Sequence, residues 1–162
     1  MIKLKDNYLA IDDNALIERL INLGVGVEES KETKLPLLEA AYFAEKNIIS
    51  FDKEKILEQA RKSDNLAYDK YTVLKCLRNN GYITRVSLDT NDYFRVHRKG
   101  IRVGEDRTHY LLKVVPSNWQ TNMKEIKEAI AFAGKLRKEL VIAYVDSDKD
   151  VHFIKFSRTS FE

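Results

Sequence analysis

Hydrophobic and polar positions alternate over residues 1–11, a two-residue period that predicts a short strand or two. Asp12 and Asp13 then offer an N-cap to a helix. Its apolar positions, Ala15, Leu16, Ile17, Leu20, Ile21 and Leu23, recur at helical spacing, and Gly24 supplies the C-terminal stop. Residues 26–34 are polar and acidic and read as a loop. Pro36 stands where a helix accepts proline, in its first turn, and Leu37, Leu38, Ala41, Tyr42 and Ala44 continue an amphipathic helix. Ile48, Ile49, Ser50 and Phe51 read as a short extended segment. Asp52 caps a third helix that carries Ile56, Leu57 and Ala60. The polar stretch 61–68 is the expected boundary between two modules, residues 1–65 and 66–162.

The second module opens with a helix in which Tyr71, Leu74 and Leu77 share a face, Asp69 is the expected cap and Gly81 the stop. Strands are predicted at 82–88, 93–97 and 109–115, the last two joined by a basic connection containing Gly100 and Gly104. Asn122 and Glu125 have capping-box spacing ahead of a long helix, with Ile126, Ala129, Ile130, Ala133 and Leu136 as its expected buried face. Leu140 to Val145 is a continuous apolar run, typical of a central strand, and Val151 to Phe156 alternates beyond an acidic turn at 146–150. Helix, three strands, helix, two strands is an α/β (α+β) order with a mixed sheet.

Composition adds compartment and charge. Of the 162 residues, 33% are charged with both signs interspersed, which fits a heat-stable cytosolic protein. Cys76 is the only cysteine, so no intrachain disulfide forms. No apolar run approaches the roughly 20 residues that span a bilayer, and the N-terminus lacks the apolar stretch of a signal peptide. A cytoplasmic location is expected. Residues 1–65 hold 10 Lys+Arg against 13 Asp+Glu, and residues 66–162 hold 18 against 12. That asymmetry points the second module toward an anionic partner.

Several blocks, in order, resemble the archaeal tRNA-intron endonuclease family. They are Leu35 to Lys46; Tyr71 to Ile83, with Tyr71, Val73, Leu77, Arg78 and Gly81 in the family's pattern; Tyr93-Phe94-Arg95-Val96 followed by Gly100; Tyr110 to Val115; Leu136-Arg137-Lys138-Glu139-Leu140-Val141-Ile142-Ala143-Tyr144-Val145-Asp146; and Val151 to Ile154. The resemblance implies a small N-terminal α/β module followed by a nuclease-like (restriction-endonuclease-like) C-terminal domain. It also implies RNA cleavage with no metal and no cofactor. A base removes the ribose 2′-OH proton, the oxygen attacks the adjacent phosphorus, an acid protonates the leaving 5′-oxygen, and a cation stabilises the phosphate. The products are a 2′,3′-cyclic phosphate and a 5′-hydroxyl.

In the family a tyrosine, a histidine and a lysine fill these roles; by position they fall here on His97, Arg107 and Lys138. Lys138 is retained as a phosphate contact. Arg107 cannot transfer a proton, because guanidinium stays protonated. His97 can titrate near neutrality but reads as an exposed loop histidine. His109, two residues beyond the aligned position, reads as a strand-surface residue, with a shifted substitute for the histidine as the alternative. An arginine that reaches RNA in the family is Ala131 here.

The expectation is therefore a non-catalytic, structural subunit of a heteromeric tRNA-splicing endonuclease, completing a catalytic homologue in a heterotetramer that excises introns from pre-tRNA at bulge-helix-bulge sites. RNA contacts are expected from Arg95, Arg98, Lys99, Arg102, Arg107 and Lys138. Subunit contacts are expected from the acidic turn, Asp146, Asp148 and Asp150, and from an exposed apolar last strand, Phe153, Ile154 and Phe156. Two other readings stand beside it: an active endonuclease using His97 or His109 with Lys138, and a stand-alone RNA-binding module.

Overall fold

The computed structural model describes residues 1–25, 33–87, 93–98 and 108–161. The chain begins with β1 (Ile2–Leu4), β2 (Tyr8–Ile11), α1 (Asn14–Asn22), β3 (Thr33–Pro36), α2 (Leu37–Glu45) and α3 (Lys53–Ser63). It continues through α4 (Ala67–Asn79), β4 (Thr84–Val86), β5 (Phe94–His97), β6 (Thr108–Val114), α5 (Met123–Lys135), β7 (Glu139–Val145) and β8 (Val151–Phe156). Among the described residues β1, β2 and β3 form one antiparallel sheet, and β4 to β8 form a second in sequence order. All neighbours in the second sheet are antiparallel except β6 and β7, which run parallel with α5 as their crossover.

Local chemistry sets most boundaries. Asp13 accepts hydrogen bonds from the backbone N–H of Ala15 and Leu16, Asp52 from Glu54, and Asn122 from Glu125, which satisfies N–H groups that a helix start leaves open. Gly24 and Gly81 end α1 and α4 with φ of 91° and 90°, the left-handed conformation that glycine adopts without strain.

Four local expectations are corrected. Thr33 and Lys34 belong to β3 rather than to a loop: Thr33 and Leu35 point inward and pair with Ile11 and Leu9, and Lys34 points out. The remainder of that expected loop, 26–32, lies outside the described residues. Residues 48–51 are not a strand. They finish the end of α2, where Asn47 takes φ 60° and the N–H groups of Asn47 and Ile48 reach back to Ala44 and Phe43, a Schellman closure that drops Ile49 into the core. The fourth helix starts at Ala67, two residues before Asp69, with Asp64 accepting from the N–H of Leu66 at 2.9 Å. Leu136 is 43% exposed rather than buried, because it caps α5.

The main core runs without a break from Leu9, Leu35 and Phe43, through Leu74 of α4, to Val96, Leu112 and Val141 of the second sheet. A smaller cluster, Leu111, Val115, Ala133, Leu140 and Ile142, lies on the opposite face of that sheet, under α5. Where the N-terminal elements meet the second sheet, the contact is polar and buried. Glu39 of α2 is 2% exposed; its Oε1 lies 3.5 Å from a guanidinium nitrogen of Arg78, and its Oε2 accepts from the N–H of Val86 at 3.4 Å. Arg78 also donates to the carbonyls of Leu23 (2.6 Å) and Thr84 (3.0 Å). Nearby, Glu45 joins three helices by accepting from Lys53 (3.1 Å) and Lys75 (3.0 Å). Burial raises its pKa, but these ammonium donors and the Tyr71 hydroxyl more than offset that, holding the carboxyl at about 2.

Burial pushes the Glu39 carboxyl in the other direction, from 4.5 to about 7, against the pull of Arg78 and the Val86 N–H. A carboxyl raised on folding contributes stability that is full below its unfolded value near 4.5 and is lost as pH rises through about 7. The melting temperature of wild type is therefore expected to fall relative to Glu39→Gln between pH 4.5 and 7.5. Parallel thermal melts check this; an unchanging difference across that range would show that Glu39 does not titrate with folding.

Candidate active site and subunit-docking surfaces

The sheet order brings four chain segments to one end of the second sheet. β5 ends there, β6 and β7 begin there because they are parallel, and β8 ends there because it is antiparallel to β7. Tyr110 pairs with Glu139, so His109 and Lys138 each stand one residue upstream at the same edge. A guanidinium nitrogen of Arg98 lies 3.1 Å from Nε2 of His109. The same His109 nitrogen is 3.6 Å from Glu139 Oε2, which is also 3.6 Å from the ammonium of Lys155. His109 additionally packs edge-on against Tyr110, with 4.4 Å between ring centroids.

Lys138 follows the end of α5. Arg137 takes φ 57°, and the N–H groups of Arg137 and Lys138 bond back to Gly134 and Ala133. The Lys138 ammonium donates to the Leu136 carbonyl at 3.3 Å. That position also suits the negative end of the helix dipole.

His97 is placed differently from expectation. It is 2% exposed, and its backbone N–H donates to Ile83 at 2.9 Å. Strict alternation along β5 would send it outward with Arg95, opposite to Val96. A register shift between Val96 and His97 breaks the alternation, so both point inward. Arg95 and Arg98 are exposed. Lys99, Arg102 and Arg107 lie outside the described residues; of the three aligned positions the structure describes His97 and Lys138. Among the described residues no group of three or more His, Cys, Asp or Glu side chains is arranged to hold a metal ion.

The sequence reading singled out His109 but not Glu139 or Lys155. What brings Glu139 to it is the parallel pairing of β6 with β7, and nothing in local periodicity shows that pairing.

The acidic turn is ordered by its own first residue. Asp146 Oδ1 accepts from the N–H groups of Asp148 (2.9 Å) and Asp150 (3.0 Å), and Oδ2 lies 2.7 Å from His152 Nε2. The His152 ring stacks on Tyr144 at 4.8 Å. The imidazole, followed by the two N–H donors, holds the Asp146 carboxyl below its usual range. Asp148 and Asp150 are exposed. On β8, Phe153 and Ile154 are 42% and 45% exposed, whereas Phe156 is half-buried against the smaller core, contrary to the expectation that it is bare.

Residues 67–153 match the family described as tRNA intron endonuclease, catalytic C-terminal domain. The chain belongs to the tRNA intron endonuclease family. Its similarity extends beyond that domain. It is 31% identical to a tRNA-splicing endonuclease of Thermococcus kodakarensis over 96% of this chain and 95% of the relative. It is 33% identical to one from Pyrococcus furiosus (96% and 94%) and 32% identical to one from Methanococcus maripaludis (92% and 88%). The tRNA-splicing endonuclease relatives thus span both sheets of this chain, and the matched region holds β4 to β7 of the mixed five-stranded sheet and the first half of β8. No helix among the described residues is long and apolar enough to cross a membrane.

The geometry separates two roles within the acidic turn. Asp146→Asn is expected to lower the melting temperature at neutral pH, since it weakens a two-donor contact and the His152 pairing. Asp148→Asn is expected to leave it unchanged. Because the Asp146 pKa is depressed from 3.8, its contribution is present above that value and lost as pH falls below it. Melts of both variants from pH 7 to 2.5 check this: the Asp146→Asn deficit should shrink at the acid end.

Proposed function

We propose that this chain is the structural, non-catalytic subunit of a heteromeric tRNA-splicing endonuclease. It joins a catalytic homologue, as a heterotetramer in the cytoplasm, to excise introns from pre-tRNA at bulge-helix-bulge sites. In this reading residues 1–65 form a module packed on a nuclease-fold domain, residues 66–162. The observation that carries it is the burial of His97. At the position where the family resemblance expects a tyrosine to meet RNA, this chain has a side chain 2% exposed. A general acid or base must come within hydrogen-bond reach of the proton it moves, and an enclosed imidazole does not reach a ribose hydroxyl outside.

The neighbouring positions support the same reading. Arg107 offers charge without proton transfer, and Ala131 offers neither. What is kept is a cationic surface, Arg95, Arg98 and Lys138, which suits the phosphate backbone without cutting it; Lys99, Arg102 and Arg107 add to that charge in sequence. Assembly has two supports. Asp148 and Asp150 are held outward by Asp146, so a basic cleft in a partner meets a turn already in shape. Among the described residues β8 is an edge strand of the second sheet, with Phe153 and Ile154 exposed on it, a surface that another strand can cover.

A second reading, an active enzyme with a rearranged site, is favoured by the Arg98–His109–Glu139 arrangement with Lys155 beside it. His109 is a group that could move a proton next to cations.

Two measurements decide. The purified chain is expected not to cut a bulge-helix-bulge RNA, and cleavage is expected when the catalytic homologue from the same source is added. Metal-independent cleavage by this chain alone, abolished in His109→Ala, would overturn the structural-subunit reading in favour of the second.

Replacing Asp148 and Asp150 together by Asn is expected to weaken assembly with that homologue, as read by sedimentation. The deficit should be largest at low salt and shrink as salt screens the wild-type contact. Equal assembly at every salt concentration would leave strand pairing as the sole support.

A further inference from the structure

A depression of about 310 Å³ opens between α5 and the face of the second sheet. Its walls are aromatic: Tyr93 ahead of β5, Trp119 in the β6–α5 connection, Phe132 of α5 and Phe156 at the end of β8. All four keep part of their surface open, and Phe132 is 46% exposed. The rings of Tyr93 and Phe132 stand 5.6 Å apart, tilted by 38°. Burying such rings is a large gain, so a group of them left open around one hollow is an unfinished contact.

The charge in this hollow is specific. Glu125 and Glu128 both line it, and with Phe132 they sit at i, i+3 and i+7 on one flank of α5. Thr121 donates its hydroxyl to Glu125 at 2.9 Å, which orients that carboxylate. Lys113 of β6 is the opposing charge in the lining, and it lies within ion-pair distance of neither glutamate. Two carboxylates against one ammonium leave the hollow negative, unlike the cationic sheet end described above.

We infer that this hollow is a binding site for a basic side chain of a partner protein, arginine in preference to lysine. A guanidinium stacks flat on aromatic rings and presents paired N–H donors to carboxylates, whereas an ammonium offers a point charge. A phosphate-bearing ligand is disfavoured by the same two glutamates. A neutral apolar side chain would leave their negative charge uncompensated. The site is independent of the structural-subunit reading, since it is defined by the isolated chain's own residues. It gives the α5 face of the domain a protein contact distinct from the β8 edge and the acidic turn.

Trp119 is the only tryptophan of the chain, so its fluorescence reports on the hollow directly. The experiment titrates the full chain with the peptide acetyl-Gly-Arg-Gly-amide, its citrulline isostere, and guanosine monophosphate, with amide chemical shifts of Glu125 and Glu128 as a second readout. Saturable changes in both signals are expected with the arginine peptide and not with citrulline. The double change Glu125→Gln and Glu128→Gln should weaken binding about tenfold or more, and Phe132→Ala, at an exposed ring, should also weaken it without unfolding the chain. Lys113→Met should tighten it. No saturable change in either signal, equal binding of citrulline, or stronger binding of guanosine monophosphate would each overturn the proposal, the last in favour of a nucleobase site.

Discussion

The buried contact between Glu39 and Arg78 is the constraint on which the remaining architecture depends. Two charged side chains, one 2% exposed, sit where α2, α4 and the start of the second sheet converge. Such a pair stabilises little by itself, because removing two ions from water costs as much as their attraction returns. Its effect is geometric. Arg78 must find acceptors in fixed directions, and it finds them in the carbonyls of Leu23 and Thr84; Glu39 must accept from the N–H of Val86. Sliding the N-terminal elements by one residue would break the contacts of Arg78 with Leu23 and Glu39 and of Glu39 with Val86, and would strand those groups in the core. The turn after α1 is held in the same place: Gly24 accepts from Arg85 at 3.0 Å, and a Cβ there would meet Ile83 at 2.8 Å. An apolar interface of equal size would tolerate several registers.

With the register of β4 set in this way, the sheet end that follows is determined by pairing. The irregularity at Val96 and His97 turns the histidine inward, and the parallel step from β6 to β7 brings His109 to Glu139 and Lys155. At that sheet end a buried imidazole, His97, and a part-exposed one, His109, stand in different surroundings although they belong to paired strands. Fold membership and chemical competence are separable, and they rest on different residues.

What was legible in the sequence follows how local each cause is. Asp13, Asp52 and Asn122 act on N–H groups two or three residues away, and their spacing showed them directly. The long apolar run of β7 and the alternation of β8 were equally plain. β3 was hidden because four residues ending in proline give too short an alternation to separate from a helix start. The inward turn of His97 was hidden because a bulge is a property of two strands, and periodicity describes one. The partnership of Glu39 with Arg78 spans 39 positions, and each residue alone reads as the polar side of a helix. Reading His97 as an exposed loop histidine failed for the same reason: the structure buries it.

The β7–β8 hairpin is where local order meets the proposed assembly. Asp146 is one of three aspartates in five residues, and composition alone makes them equivalent. Hydrogen bonding does not: Asp146 is committed to the turn's own N–H groups and to His152, and that commitment is what leaves Asp148 and Asp150 pointing out. Like charges crowded on a flexible loop would spread apart, and a partner would have to gather them at an entropic cost. Held by Lys149 in a left-handed turn (φ 68°) and by the stack of His152 on Tyr144, they are gathered in advance. The same hairpin fixes the outer strand whose Phe153 and Ile154 remain bare. The turn and the edge strand sit on one hairpin, so in the proposed assembly the orientation of a partner along β8 also sets where its basic cleft would meet Asp148 and Asp150.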